Sequence, residues 1–288
     1  MTWLVAELLV EADVSEAVAD SLRASGADGV AEEWRQGHTY VRAFWHEGEP
    51  AVVRASTARV IARLQAVGLL DAPPATTWVT MEDADWLEGW KQYFAPLEIS
   101  PRLAIVPSWE PFTPGPAQAV VILDPGMAFG TGTHGTTYSS LQALDAVLQP
   151  GMAVADVGTG SGILAIAAAK LGAGRLVATD TDPLAIAVAR DNASRNGVEG
   201  AIEFQVTDLL TGIDGPFALL IANILAPVIL ALLPALPRVL TPGGLFISSG
   251  YITAQDAEIA AALQAADHTL GARYEREGWV ARVSRWTP

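Results

Sequence analysis

Apolar positions along the first eighty residues change period several times. Trp3 to Val10 is an apolar run of strand length, and Val14, Ala17, Val18 and Leu22 recur at helical spacing until Gly26. Val30 to Trp34 and Tyr40 to Trp45 flank Gln36-Gly37, which suits a hairpin turn. A second helical stripe of Val60, Ile61, Leu64 and Val67 stops at Gly68, and Thr76 to Thr80 supplies a last strand. The order βαββαβ predicts a ferredoxin-like α+β domain, an antiparallel sheet with two helices on one face. That arrangement is common and assigns no function.

Asp71-Ala72-Pro73-Pro74 breaks the last helix of this pattern, and Asp83 to Phe94 reads as an amphipathic helix carrying Trp86, Trp90, Tyr93 and Phe94. Pro96, Pro101, Pro107, Pro111, Pro114 and Pro116 follow, which is connector chemistry. From about Val120 apolar runs alternate with alanine-rich helices, the signature of a parallel α/β sheet. Strands are predicted near Ala153 to Val157, Leu176 to Thr179, Ile202 to Val206, Ala218 to Ala222 and Leu245 to Ser249. A helix near Ala254 to Ala266 precedes His268 to Arg276 and Trp279 to Trp286, which flank Glu277-Gly278 as an antiparallel edge hairpin. The predicted organisation is a domain over 1–80, a linker over 81–116 and a second domain over 117–288.

The longest apolar stretch, Phe217 to Leu233, contains Asn223 and Pro227. A buried strand ending at Ala222, a polar turn and a helix from about Pro227 accounts for it without placing an amide in lipid. Length and composition agree with two folded domains: 288 residues, 51% hydrophobic and 17% charged, with a mean hydropathy of +0.30. Lys and Arg number 17 against 32 Asp and Glu, a net charge of −15 that repels phosphate backbones, so no nucleic-acid partner is expected. The same field draws in a cationic partner such as a lysine side chain, and it serves solubility equally. The absence of cysteine excludes disulfides, thiolate nucleophiles and thiolate-bound metal, and the four scattered histidines form no metal site. Met1 to Val10 carries Glu7 and no basic flank, so it is not read as a signal peptide. A cytoplasmic monomer without membrane contact is the expectation.

The chemistry concentrates at predicted strand ends. Asp156-Val157-Gly158-Thr159-Gly160-Ser161-Gly162 closes a strand and opens a helix, where Gly158 and Gly160 let the backbone approach a ligand. A dinucleotide fingerprint wants Gly or Ala after Gly162, but Ile163 stands there, and Asp156 is awkward for a pyrophosphate. The spacing favours S-adenosylmethionine over NAD. The next strand ends at Asp180, twenty residues past Gly160, where a carboxylate can accept paired hydrogen bonds from ribose hydroxyls. Asp182, followed by Pro183, is read as a helix cap, and Asp180 as free of such a duty. Asp208 ends the third strand, where an adenine amino group would need an acceptor, with an exposed turn residue as the competing reading. Asn223 ends the fourth strand and is read as facing the reaction, since ligands of open parallel sheets bind beyond the carboxyl ends of strands. Asp124 to Thr137, rich in Gly and Thr and containing His134, lacks the ending of a phosphate loop and reads as a lid before a helix starting near Thr137.

Together, DPGMAFGTGTHGTT from Asp124, DVGTGSGILAIAAAKLGA from Asp156, ATDTDPLA from Ala178, ANIL from Ala222 and SSG at Ser248 to Gly250 resemble the ribosomal protein L11 methyltransferase family. WLEGWKQYFAP from Trp86 and PSW at Pro107 resemble its linker signature. The resemblance implies a class I methyltransferase, a Rossmann-like seven-stranded α/β sheet joined by a helical linker to a small N-terminal substrate-recognition domain. It implies methyl transfer from S-adenosyl-L-methionine to lysine ε-amino groups and the N-terminal α-amino group of ribosomal protein L11. It carries cofactor contacts onto Thr137, Gly158, Asp180 and Asn223. Two positions depart from the family pattern: Gly135, where Pro or another non-glycine is more usual, and Tyr251, where an aliphatic is usual. The first is expected to loosen the lid.

A lysine with an ordinary pKa of about 10.4 must lose its proton to attack, whereas an α-amino group near 7.7 to 8.0 is already partly neutral. No strong catalytic base is evident, so Asn223 is expected to orient the amine. The competing readings are a methyltransferase for another protein amine and a non-catalytic ribosome-assembly factor that binds the cofactor. A glutamine-amide methyltransferase would carry Asn-Pro-Pro-Tyr where this chain has Asn223-Ile224-Leu225-Ala226.

Overall fold

The structure, a computed structural model, describes residues 2–12, 14–35, 38–46, 49–82, 95–124 and 135–288. The Gln36-Gly37 turn, the helix expected over Asp83 to Phe94 and most of the Gly- and Thr-rich segment, residues 125–134 with His134, lie outside the described residues. The chain forms two compact units, Met1–Tyr93 and Phe94–Pro288.

In the first unit β1 (Thr2–Val10), α1 (Ser15–Ala24), β2 (Gly29–Arg35), β3 (His38–Trp45), α2 (Pro50–Ala66) and β4 (Thr76–Glu82) follow the predicted order. The sheet order is β2-β3-β1-β4 with every neighbouring pair antiparallel, which is the ferredoxin-like topology. Leu4, Ala6, Leu8 and Val10 alternate along β1 and share a core with Val18 and Leu22 of α1 and Val53 and Leu64 of α2. Glu7, of the opposite parity, accepts hydrogen bonds from Arg35 at 3.0 Å and Arg42 at 2.7 Å.

The second unit begins with a feature absent from the sequence reading. β5 (Leu97–Ser100), β6 (Leu103–Val106) and β7 (Ala119–Ile122) form a small sheet, β5 antiparallel and β7 parallel to β6. Pro101 sits in the β5–β6 turn and Pro107 follows β6, so these prolines punctuate strands. Ile99, Leu103, Ile105 and Val121 join the core of the large sheet. The described part of the expected linker, residues 95–116, therefore packs with the second unit.

That large sheet is built by α3 (Gly135–Val147), β8 (Val154–Val157), α4 (Ile163–Lys170), β9 (Leu176–Asp180), α5 (Pro183–Arg195), β10 (Glu203–Val206), β11 (Phe217–Asn223), α6 (Ala226–Leu232), α7 (Leu236–Val239), β12 (Leu240–Ile252), α8 (Asp256–Ala265), β13 (His268–Arg276) and β14 (Trp279–Trp286). Its order is β10-β9-β8-β11-β12-β14-β13. The first five strands run parallel, and β14 is antiparallel to both of its neighbours. One face buries Leu141 and Leu144 of α3, the apolar α4 and Ile186 of α5; the other buries Ile229 and Leu232 of α6 and Ile259 and Leu263 of α8. Residues 217–233 are thus a central strand followed by a short helix. No helix among the described residues is long and apolar enough to cross a membrane.

β7 is held to α5 by one side chain. Asn196 accepts the Ile122 N–H at 2.8 Å and donates to the Ile122 carbonyl at 2.7 Å and the Asn192 carbonyl at 2.9 Å, imitating a strand neighbour. Asn196→Ala strands both Ile122 groups and should cost about 1–3 kcal/mol. Urea denaturation checks this; an unchanged midpoint would mean that water replaces the amide at no cost.

Candidate active site

The loop after β8 is pinned from several directions. The N–H groups of Gly158 and Thr159 both donate to the Thr179 carbonyl on β9 at 2.8 Å, and Asn192 of α5 donates to the Ser161 carbonyl at 2.9 Å. Gly162 adopts φ +82, and a Cβ there would stand 3.0 Å from the Ala189 Cβ, so the glycine lets α4 and α5 approach. A Cβ on Gly158 would overlap the Ile224 side chain.

Beneath the loop, Asp156 is fully buried. Its Oδ2 accepts from Thr159 Oγ1 at 2.7 Å and Ala165 N–H at 3.1 Å, while its Oδ1 has no partner among the described residues. Burial outweighs those two hydrogen bonds and pushes its carboxyl up to about 6.

Asp180 ends β9 with two backbone partners. Its Oδ2 accepts the Gly160 N–H at 2.9 Å and its Oδ1 the Asp182 N–H at 3.0 Å. The expectation that Asp180 has no local duty is therefore corrected, because it holds the glycine loop to the end of β9. An ionised carboxylate has about four lone-pair positions, so two remain uncommitted among the described residues. Asp182 caps α5 by accepting the Leu184 N–H at 2.8 Å. Asp208 lies exposed beyond β10, next to Thr207, whose N–H donates to the Asp180 carbonyl at 2.9 Å.

Asn223 closes β11 between β8 and β12, and its Oδ1 is buried with no hydrogen-bond partner among the described residues. Thr137, in the first turn of α3, is fully buried with its Oγ1 in the same condition. The two belong to one corner of the fold: Asn223 is in register with Ser249 of β12, whose hydroxyl lies 3.4 Å from the Thr136 carbonyl. The turn after Asn223 is clamped, since Ile224 lies against Gly158 on one side and its backbone against Gly250 on the other. Sequence reasoning gave no role to Asn192, nor to Ile224 and Ser249, which it quoted only within the ANIL and SSG motifs. An amide in an alanine-rich helix is a signal for Asn192, whereas the packing role of Ile224 depends on strand neighbours.

Both departures from the family pattern have packing reasons. A Cβ on Gly135 would stand 2.6 Å from the Arg276 carbonyl oxygen and 3.0 Å from the Trp279 ring, so this glycine permits a close contact, while the segment it was expected to loosen lies outside the described residues. Tyr251 is fully buried, with its hydroxyl 3.3 Å from Ser248 Oγ and burial pushing its phenol up to about 12. Nearby, Asp256 takes a bidentate pair from Arg282 and accepts from Arg273 at 2.7 Å.

A central parallel run ending in an antiparallel hairpin, with a glycine loop, an acidic residue and an Asn at successive strand ends, defines a class I methyltransferase. The family model described as ribosomal protein L11 methyltransferase (PrmA) matches residues 2–286. A protein of that name from Bacillus cereus (strain G9842) is 37% identical over 310 aligned positions, 99% of each chain. One from Pelotomaculum thermopropionicum is 44% identical over 79% of this chain and 73% of its own. The crystal structure of a ribosomal protein L11 methylase from Lactobacillus delbrueckii subsp. bulgaricus is 38% identical with a TM-score of 0.63, covering 68% of this chain and all of its own. The chain belongs to the ribosomal protein L11 methyltransferase family and is a methyltransferase.

The site makes a pH-dependent prediction. The folded protein binds the Asp156 proton more tightly than the unfolded chain, so ionised Asp156 costs stability above pH 6. At about 1.36 kcal/mol per pKa unit the cost approaches 3 kcal/mol and is relieved as the pH falls toward 4. Asp156→Asn should gain less on acidification than the parent between pH 7.5 and 4.5. Parallel melting-temperature profiles would show that Asp156 does not titrate there.

Proposed function

We propose that this protein transfers methyl groups from S-adenosyl-L-methionine to lysine ε-amino groups and the N-terminal α-amino group of ribosomal protein L11. It acts as a cytoplasmic monomer, with residues 1–80 recognising the substrate and the second unit, residues 94–288, carrying the chemistry. The observation that carries the reading is the Asn223 Oδ1, buried at the end of the central strand with no hydrogen-bond partner among the described residues. A buried acceptor without a partner costs stability unless a ligand fills its demand.

The donor set fits the cofactor. Asp180 keeps lone pairs for ribose hydroxyls, Asp208 stands at the next strand end for an adenine amino group, and Gly160, whose N–H meets Asp180, carries no Cβ to obstruct a close ligand. Thr137 Oγ1 supplies a further polar atom without a partner among the described residues. When bound, S-adenosylmethionine supplies an electrophilic methyl group. Asn223 Oδ1 accepts one N–H of the neutral acceptor amine and thereby turns the nitrogen lone pair toward the cofactor side of the strand end. Orientation of this kind can be worth several kcal/mol, up to roughly 7–11. The surrounding burial lowers the proton affinity of a lysine that enters.

Intact-mass spectrometry of L11 incubated with the protein and S-adenosylmethionine should show stepwise methyl additions that Asp180→Ala abolishes. Asn223→Ala should lower kcat on the order of 100-fold while the far-ultraviolet spectrum is retained. Unchanged turnover would remove Asn223 from the reaction. Cofactor binding with no addition to L11 would direct the search to other amine acceptors, and binding with no turnover on any acceptor would favour the assembly-factor reading.

A further inference from the structure

We infer that the tip of the β13–β14 hairpin is a positioning element for Thr137, acting through Gly135, Trp279 and Ser249. The inference rests on the cofactor role proposed for Thr137.

Thr137 is the third residue of α3, so its Oγ1 goes wherever the first turn of that helix goes. Three contacts set that turn. Gly135 approaches the hairpin so closely that a Cβ would stand 2.6 Å from the Arg276 carbonyl oxygen, 3.0 Å from Trp279 Cδ1 and 3.4 Å from Trp279 Cβ. The Arg276 guanidinium lies 4.0 Å from the Tyr138 ring centroid, one residue beyond Thr137. Ser249 Oγ, fully buried, donates to the Val280 carbonyl of β14 at 2.9 Å and lies 3.4 Å from the Thr136 carbonyl, so one hydroxyl serves hairpin and helix.

The tip is itself anchored. Glu277 and Gly278 turn the chain with φ of +56 and +81, and the Gly278 carbonyl accepts both the N–H of Thr253 at 2.8 Å and its hydroxyl at 3.0 Å. Thr253 follows β12, the strand whose Ser249 is in register with Asn223. One frame of β12 and the hairpin therefore sets Thr137 and Asn223 relative to each other. Because the nearest atom to the absent Cβ is a backbone carbonyl, a side chain at 135 cannot be absorbed by a rotamer change and must displace the first turn.

A double-mutant cycle read by S-adenosylmethionine affinity tests this. Thr137→Ala should weaken cofactor binding about 5- to 20-fold, Gly135→Ala by a similar factor, and the double variant no further, because the second change acts through the first. Additive losses would overturn the inference, since a general disturbance of the fold does not need Thr137. Parent-like affinity of Gly135→Ala would overturn it as well. If Gly135→Ala does not fold, Ser249→Ala, which adds no atoms, replaces it in the same cycle with the same expectation. A Thr137→Ala variant with unchanged affinity would refute the cofactor role of Thr137, and with it this inference, while leaving methyl transfer to L11 to be judged by mass spectrometry.

Discussion

The geometry of the site depends on how closely three strand ends approach one another. β8, β11 and β12 are neighbours in the sheet, and the turn leaving β11 must pass between the chain segments leaving the other two. Ile224 makes that passage with its side chain against Gly158 and its backbone against Gly250. A side chain at either glycine would meet Ile224 directly, and the adjacent Asn223 would move with it. Interiors at native density have no slack to absorb such a change, so the two glycines control the distance between the glycine loop and the strand end that carries Asn223.

The same economy of space governs the acidic residues. Asp180 reaches back to the Gly160 N–H and forward to the Asp182 N–H, which fixes its carboxylate before any ligand arrives. A carboxylate already ordered loses less freedom on binding a diol than a mobile one would. Asp156 holds Thr159 and the start of α4 from below at the cost of burying a charge. Fixed dipoles and charges do most when the protein has oriented them in advance, and the polar groups at these strand ends are held by their own hydrogen bonds.

The hairpin at the edge of the sheet does more than close it. Arg282 and Arg273 converge on Asp256, and Tyr251 occupies the interior beside them, so β12, β14, β13 and the start of α8 are tied through one polar cluster. In this partly buried set every charge has a hydrogen-bonded partner of opposite sign, which fixes the edge. That rigidity gives the tip a stable footing at the first turn of α3.

The chain's elements were largely legible from local pattern. Alternation in β1, the helical stripe around Val18 and Leu22, and the apolar runs of β8, β9 and β11 each report a period of two or 3.6, or a strand buried on both faces, within a few residues. The glycine loop, the cap at Asp182 and the polar residues at strand ends were legible for the same reason. β5 and β6 were not, because four-residue strands bounded by prolines look like a connector until the partner strand β7 is in place. By itself, then, the sequence determined which elements form, which chemical groups stand at their ends and which family the chain resembles, since those depend on residue type and short-range spacing. Only the tertiary structure decided that the Gly160 N–H donates to Asp180, that Ile224 lies between Gly158 and Gly250, that Gly135 meets Arg276 and Trp279, and that Asn223 and Thr137 carry buried polar atoms with no partner among the described residues. Those are contacts across tens to more than a hundred residues, set by strand order and close packing, and no local period encodes them.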